Sequence, residues 1–561
     1  MDVPANSIAP PRASATRERP NVLLVFPRFN QNSFWSLRAA CEIYGARCPA
    51  PPLGLITVAA LLPPEWNLRL VDRNAEELGA ADLAWADLVF TGGMLPQRVD
   101  CLEVIDLCQA EGKTVVIGGP DATSSPEVYE QADFLVLGEA EGIIDSFVQA
   151  WRQGDQTGRF QAAKFKVDVA TSPIPRFDLL RTKNYLYLGV QFSRGCPFMC
   201  EFCDIIELYG RVPRSKTPEQ MLAELQVLYD MGYRGHVDFV DDNFIGNKKN
   251  IKKFLPILEQ WQVERNHPFM FSTEASINLA DDPALLRLMA RANFFAVFVG
   301  IESPDTNTLN MAQKKQNTRR SLADSVHAIY ASGMMVLAGF IVGFDTEESG
   351  VAQGMIDCID ATSIPVCTIG MLTALPGTQL TRRLEKEGRL LPFTDLGRGD
   401  QCTAGLNFVP LRPRREILDD YRRVVQSVYR PEAYFGRVRN IGMLLRKKHG
   451  LRRIPNVPPA RTAKRDLIAL LRLMVRMTFV RTDLTLLFWR TLIWTARNNP
   501  GALHVVATQM VLFLHLGEFA KFVVRDVERQ IDAIDREAEE PARADPGPAV
   551  RATARSAALT R

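Results

Sequence analysis

Cys196, Cys200 and Cys203 are three thiols within eight residues, spaced C-x3-C-x2-C in the segment Phe192-Ser193-Arg194-Gly195-Cys196-Pro197-Phe198-Met199-Cys200-Glu201-Phe202-Cys203. The ten cysteines of the chain are otherwise scattered, without the dense spacing of a disulfide scaffold, so this crowding points to a metal. Four thiolates complete an ordinary [4Fe–4S] cluster; three leave one iron open to an outside ligand. Two other readings stand beside it: a zinc site with a distant fourth ligand, and three unrelated cysteines. Zinc usually pairs two C-x2–4-C units, and no second close pair is present.

The thiols follow an apolar run at 190–192, which places them just past the carboxyl end of a strand. Further strand candidates at 237–240, 269–271, 296–299, 335–341 and 367–372 alternate with helix-length segments across 188–391. Repeated βα units predict a full or partial βα barrel of TIM type, whose active site lies at the carboxyl ends of its strands. Residues 21–150 alternate in the same way, with strands expected at 22–26, 68–71, 88–90, 114–117 and 134–137 and helices at 53–62 and 98–111. That pattern predicts a doubly wound parallel sheet, an α/β Rossmann-like domain. Gly92, Gly93, Gly118, Gly119 and Gly138 follow strand ends, where a ligand binds close to backbone. A nicotinamide site would want G-x-G-x-x-G after the first strand; Phe26-Pro27-Arg28-Phe29-Asn30 stands there instead.

Residues 151–187, punctuated by Pro173 and Pro175, are expected to be a linker. Beyond 395 the strand signal stops, and helices at 415–429, 433–449, 462–480, 482–498 and 500–534 predict an all-α domain over 395–535. The ends, 1–20 and 536–561, lack apolar periodicity and are expected to be disordered. A net charge of +3 over 561 residues gives no footprint for nucleic acid. The first residues carry no apolar signal core, which predicts a cytoplasmic location.

No window offers roughly 20 uninterrupted apolar residues. The nearest, 501–517, carries His504, Gln509 and His515, and suits either a core helix or a membrane-surface helix. Residues 462–525 concentrate Leu, Phe, Trp and Met, bordered by Arg453, Arg461, Arg465, Arg472, Arg476, Arg481 and Arg490. Such faces either pack on one another or lie in the interface of an anionic bilayer, as a peripheral membrane contact.

With the aromatic Phe202 before its third cysteine, the motif resembles the radical S-adenosylmethionine (SAM) superfamily. The resemblance implies that SAM chelates the open iron. One electron, from a ferredoxin or flavodoxin type donor, then cleaves SAM to a 5′-deoxyadenosyl radical. It also implies that Asp241, Asp242 and Asn243 contact the SAM amino group, and that Glu274 and Glu302 serve its carboxylate and ribose. Gly339-Phe340-Ile341-Val342-Gly343 resembles the G-x-I-x-G motif beside the adenine, with Asp345 and Glu347 just behind it.

Residues 21–150 resemble the cobalamin-binding domain of class B radical SAM enzymes, through Asn21–Pro27, Pro51-Pro52-Leu53-Gly54-Leu55, Leu70-Val71-Asp72-Arg73-Asn74, Ile117-Gly118-Gly119-Pro120 and Leu137-Gly138-Glu139. This implies that Pro52, Gly54, the five glycines above and Glu139 face cobalamin. All six histidines lie beyond residue 190, so this domain offers no histidine to the lower cobalt face. The helical region, especially 421–437, resembles the extension of bacterial hopanoid 2-methylases. The family therefore implies a C-methyltransferase acting on an unactivated carbon of a hydrophobic polycyclic lipid, with hopanoid ring A carbon 2 favoured. A tetrapyrrole methylase or cyclase, and a cobalamin-binding sensor with an inactive barrel, are the alternatives.

Overall fold

Short runs of Val, Leu, Ile and Phe become the strands of two parallel sheets in the computed structural model, which describes residues 18–30, 32–392, 402–403, 405–445 and 460–543. The first sheet comprises β1 (Asn21–Phe26), β2 (Asn67–Asp72), β3 (Leu88–Gly92), β4 (Thr114–Gly118), β5 (Phe134–Leu137) and β6 (Gly158–Gln161). Their order is β2-β1-β3-β4-β5-β6, every pair parallel. This is the flavodoxin type of doubly wound order, with its switch point between β1 and β3. One face packs Leu23, Val25 and Val89 on Val104 and Ile105, and the other packs Leu24 and Phe90 on Ala59 and Phe147. Strand β6 lies within 151–187, where a linker was expected. Its sequence, Gly-Arg-Phe-Gln, has one apolar side chain, and that one suffices: Phe160 stacks on Phe134 at 6.4 Å between ring centroids.

The second sheet opens with β7 (Leu188–Val190). A two-residue antiparallel ribbon follows, β8 (Ser193–Arg194) with β9 (Arg214–Ser215). Then come β10 (Gly235–Phe239), β11 (Phe269–Glu274), β12 (Phe294–Glu302), β13 (Met335–Val342) and β14 (Cys367–Met371). They pair in chain order, all parallel, from β7 to β14. The result is a partial βα barrel of six strands. Its helices start where the sequence supplies caps: Thr217 accepts from the Gln220 amide before Pro218–Asp230, and Asp282 accepts from the Leu285 amide before Pro283–Arg291.

The helical region shares the barrel's core rather than forming its own. Tyr421 and Tyr429, from helix Arg414–Val428 and its end, donate to the Ile369 and Cys367 carbonyls of β14. Helix Leu503–Arg543 has the length and composition to cross a membrane, with a mean hydropathy of 1.4 in its most apolar window. Val506, Met510, Phe513, Leu516 and Val523 are nevertheless buried, and the helix packs as core. It also continues through 536–543, where disorder was expected. Ala, Glu and Arg are strong helix formers, and the Arg415–Asp535 pair at 2.6 Å anchors the last turns. Residues 1–17, 544–561, the end of the helix expected at 433–449, and Arg453 lie outside the described residues.

A short helix, Arg38–Tyr44, leaves the first sheet and buries Ala39, Ala40 and Ile43 in this shared core. Arg472 Nη1 donates to the Ile43 carbonyl at 3.1 Å, and His515 Nε2 lies 3.2 Å from the Ser33 and Phe34 carbonyl oxygens. The C-terminal helices thereby grip the connection between β1 and β2 of the first sheet.

Candidate active site

The cysteine loop hangs from the ribbon β8–β9. Gly195 has φ +94°, and a Cβ there would lie 2.8 Å from the Gly210 carbonyl oxygen, so only glycine lets the chain enter the loop. Asp241 and Asp242, which follow β10, fix its backbone. The Asp241 carboxylate accepts from the amides of Phe192 (2.9 Å) and Ser193 (2.5 Å) and from Ser193 Oγ (2.6 Å), and Asp242 accepts from the Gly195 amide at 2.8 Å. Two side-chain amides reach the thiols: Asn243 Nδ2 donates to Cys196 Sγ and Gln316 Nε2 to Cys200 Sγ, each at 3.7 Å.

Burial, above all, pushes the Cys196 thiol up. Cys203 is raised further, by burial, then by Asp204 and the neighbouring thiols. A cationic iron centre held here would reverse that balance and favour the thiolates. Among the described residues, no three His, Cys, Asp or Glu side chains converge as a single ion would require. Cys196, Cys200 and Cys203 would suit an iron–sulfur cluster, which takes cysteine thiolates.

The carboxyl ends of both sheets face one cavity of about 1340 Å³. Its barrel wall carries Asp204, Asp238, Asp242, Glu274 and Glu302. Glu274 opens to the cavity yet is enclosed by protein. That enclosure, with Asp238 and Asp242 nearby, pushes its carboxyl up to about 8. Burial likewise raises Asp238 and Asp242 to about 6 each. Cations reach this wall from behind: Lys314 pairs with Glu302 and lies 5.7 Å from the Phe202 ring centroid, and Arg194 and Arg214 act on Asp242. Glu274 therefore keeps its proton at neutral pH until a cation arrives, and Asp238 and Asp242 beside it add negative charge, so the wall suits a positively charged ligand. Across the cavity, the loops after β1 and β2 contribute Arg28, Asn30, Arg73 and Asn74, joined by Arg38 and Arg47. Met94–Pro96 and Pro120–Asp121 come from the loops after β3 and β4.

Of the residues singled out from sequence, Phe202, Asp242, Glu274, Glu302 and Gly339 line the cavity. Asp241 and Asn243 stand behind the cysteine loop instead. Gly343 sits at a turn whose amide donates to Glu347 at 2.8 Å, and Asp345 is held by Arg383 and Arg389. Gly92, Gly93, Gly118, Gly119 and Gly138 shape the loops rather than line them. A Cβ on Gly92 would lie 2.3 Å from the Gly118 carbonyl oxygen. Pro52 and Gly54 begin helix Leu53–Leu61, away from the cavity.

Glu139 has two partners within the protein. It accepts from Arg194 at 3.1 Å and Arg214 at 2.8 Å, tying the first sheet to the ribbon that carries the cysteines. Glu141 reinforces it, taking both Arg194 Nη groups at 2.7 and 3.0 Å. Glu141, Lys314, Gln316, Trp35, Arg28, Arg38 and Arg47 belong to no motif, and sequence reading missed them; Arg73 alone of the arginine wall stood in a motif, the run 70–74. The clue available for Arg28 was position, two residues past the end of β1.

The radical SAM superfamily model matches residues 190–351, and a domain of unknown function (DUF4070) matches 378–529. An uncharacterized methyltransferase of Synechocystis is 43% identical over 91% of this chain and 94% of its own length. The hopanoid C-2 methylase of Rhodopseudomonas palustris is 34% identical over 90% of this chain and 95% of its own. Among solved structures, the cobalamin-dependent SAM radical enzyme OxsB, with aqua-cobalamin and SAM bound, shares the fold. It superposes with a TM-score of 0.56 at 17% identity, covering 92% of this chain and 81% of that one. With its cysteine loop, two-sheet cavity and helical extension, the chain belongs to the radical SAM superfamily, within the methyltransferase family that includes the hopanoid C-2 methylase.

Proposed function

We propose that the protein is a cobalamin-dependent radical SAM C-methyltransferase that methylates an unactivated ring carbon of a hopanoid-type polycyclic lipid, ring A carbon 2 being favoured. The observation that carries this reading is the single cavity shared by the carboxyl ends of both sheets, with the three-cysteine loop on its barrel side. Cys196, Cys200 and Cys203 would hold the cluster, while Asp242, Glu274 and Glu302 would face the cationic groups of SAM. The loops at 28–30, 73–77, 94–96 and 120–121 would hold cobalamin. When bound, these groups supply radical generation and a methyl carrier.

A saturated ring carbon has no acidic proton, so no general base in the cavity could activate it, and radical chemistry answers that need. The chain's own part is to bind, orient and keep water out. Trp35, Phe298, Phe340, Ile341, Met371 and Leu372 give the cavity an apolar side that suits a fused-ring hydrocarbon. The test is an anaerobic incubation of reconstituted protein with methyl-labelled SAM, cobalamin, reductant and desmethyl hopanoid. Label is expected at ring A carbon 2. Label in a chlorin or porphyrin, with none in the hopanoid, would replace this substrate with a tetrapyrrole.

A further inference from the structure

Helix Ala460–Val475, the π-turn Arg476–Val480 and helix Thr485–Asn498 follow one another, and each turns apolar side chains toward solvent. Leu467, Leu471, Val475 and Phe479 recur every four residues, the spacing of one helical face, and are 57, 52, 56 and 75% exposed. Val480 (66%) and Leu486 (78%) extend the same apolar surface, with Ile493 beyond them. Large side chains exposed in such continuity mark an interaction surface rather than ordinary surface composition.

Charge indicates what covers it. Residues 460–500 hold eight Lys and Arg against two Asp, a balance of +6, or +4 with Glu42 and Glu518, which pair with Arg476 and Arg481, while the whole chain carries +3. Exposed Lys464, Arg490 and Arg497 stand among the apolar positions, and Trp489 and Trp494 are half-buried beside them. Apolar side chains bordered by cations, with tryptophans between, match the layering of an anionic bilayer interface. A protein partner or a second copy would have to bring a strongly acidic rim, and the rest of this chain, near −3 over more than five hundred residues, is too dilute in charge to be that partner.

The surface also lies close to the cavity. Arg472 and Arg476 bond the Ile43 carbonyl and the Glu42 carboxylate of helix Arg38–Tyr44. Arg38, with Trp35 and Ser36 just before it, lines the cavity, and the Trp35 ring lies 5.8 Å from that of Phe298. The geometry points to a peripheral docking face, 464–497, that seats the protein on an anionic phospholipid bilayer beside the mouth of its cavity. A water-insoluble polycyclic lipid then passes from the bilayer to the site without crossing water. This rests on the lipid reading above for its purpose, but its test does not.

Full-length protein is mixed with phosphatidylcholine vesicles containing or lacking phosphatidylglycerol and floated through a density gradient. It should float with the anionic vesicles at low salt, less so at high salt, and remain below with the neutral ones. The variant Leu471→Glu/Phe479→Glu/Leu486→Glu alters three exposed positions and should lose about a thousandfold or more in partitioning, because each buried apolar group contributes about tenfold or more. Its circular dichroism, and its methylation of substrate dispersed in detergent, should match the wild type.

Wild type remaining below with anionic vesicles overturns the docking face. So does a triple variant that floats equally well. A stable wild-type dimer that the triple variant dissolves, without flotation of either, makes the surface a self-association face instead. Flotation as expected, with no methylation of any lipid, leaves the docking face standing and removes the lipid substrate.

Discussion

Replacing Glu141 with Gln should loosen the cysteine loop without touching a cluster ligand. Arg194 lies two residues before Cys196, 12% exposed at its side chain, and its guanidinium is gripped by Glu141 and Glu139 from the first sheet. Burial pushes the Glu141 carboxyl up, but Arg194, by hydrogen bonds and charge, outweighs it and holds the group at about 2. Against the ordinary value of 4.5, that difference is worth about 3 kcal/mol, at about 1.4 kcal/mol per pH unit. Removing one partner of a buried pair costs about 3–5 kcal/mol. Glu139 remains to share Arg194, so a loss of about 3 kcal/mol is expected for Glu141→Gln.

The folded-state value is depressed, so this stabilisation is fully present above about 4.5 and disappears as pH falls toward about 2. Wild type should therefore lose its advantage over Glu141→Gln across that acidic window and keep it at neutral pH. Hydrogen exchange resolved by mass spectrometry is the assay, because a chain of several units does not unfold in one step. Peptides covering 193–195 and 212–215 should exchange about a hundredfold faster in the variant at neutral pH. Unchanged protection of those peptides would refute the claim that this ion-pair group holds the loop.

Glu274→Gln should weaken SAM binding about tenfold or more at high pH. Wild-type affinity, measured by equilibrium dialysis, should tighten as pH rises through about 8, where the carboxyl loses its proton, and the variant's profile should be flat over that range. Gly92→Ala would drive a Cβ into the Gly118 carbonyl and should destabilise the first sheet by about 3 kcal/mol or more, read as loss of soluble protein or a lowered Tm. Tyr421→Phe removes the hydroxyl bonded to the Ile369 and Cys402 carbonyls and should cost about 1–2 kcal/mol in denaturant unfolding, with the cluster retained.

The strands of both sheets were readable because parallel strands are buried on both faces and appear as apolar runs bounded by glycine. Strand β6 was not, since an edge strand with one phenylalanine makes no run. The helical region was legible as helices but not as part of the barrel's core. That merger depends on Tyr421 and Tyr429 reaching β14, a contact no periodicity encodes. At the site, the cysteine spacing singled out the loop, and the structure sets it on the barrel side of the cavity between the two sheets. The neighbouring acids Asp241 and Asp242 could not be told apart in sequence, yet one is bound to the loop backbone and the other also faces the cavity. Glu139 carries a strand-end signature that suggested a cofactor contact, while its actual partners, Arg194 and Arg214, lie more than fifty residues away. Gln316 and Lys314 reach the site from a turn beyond β12, where nothing local marks them.

Cys196, Cys200 and Cys203 should serve as the ligands of one cluster that cleaves SAM. The most direct measurement is 5′-deoxyadenosine formed under dithionite by anaerobically reconstituted wild type and Cys200→Ala, with iron and sulfide determined on the same samples. Wild type should carry about four irons and four sulfides per chain and release 5′-deoxyadenosine, while Cys200→Ala should release none above the protein-free control. Cleavage of SAM by Cys200→Ala at a rate comparable to wild type would contradict it.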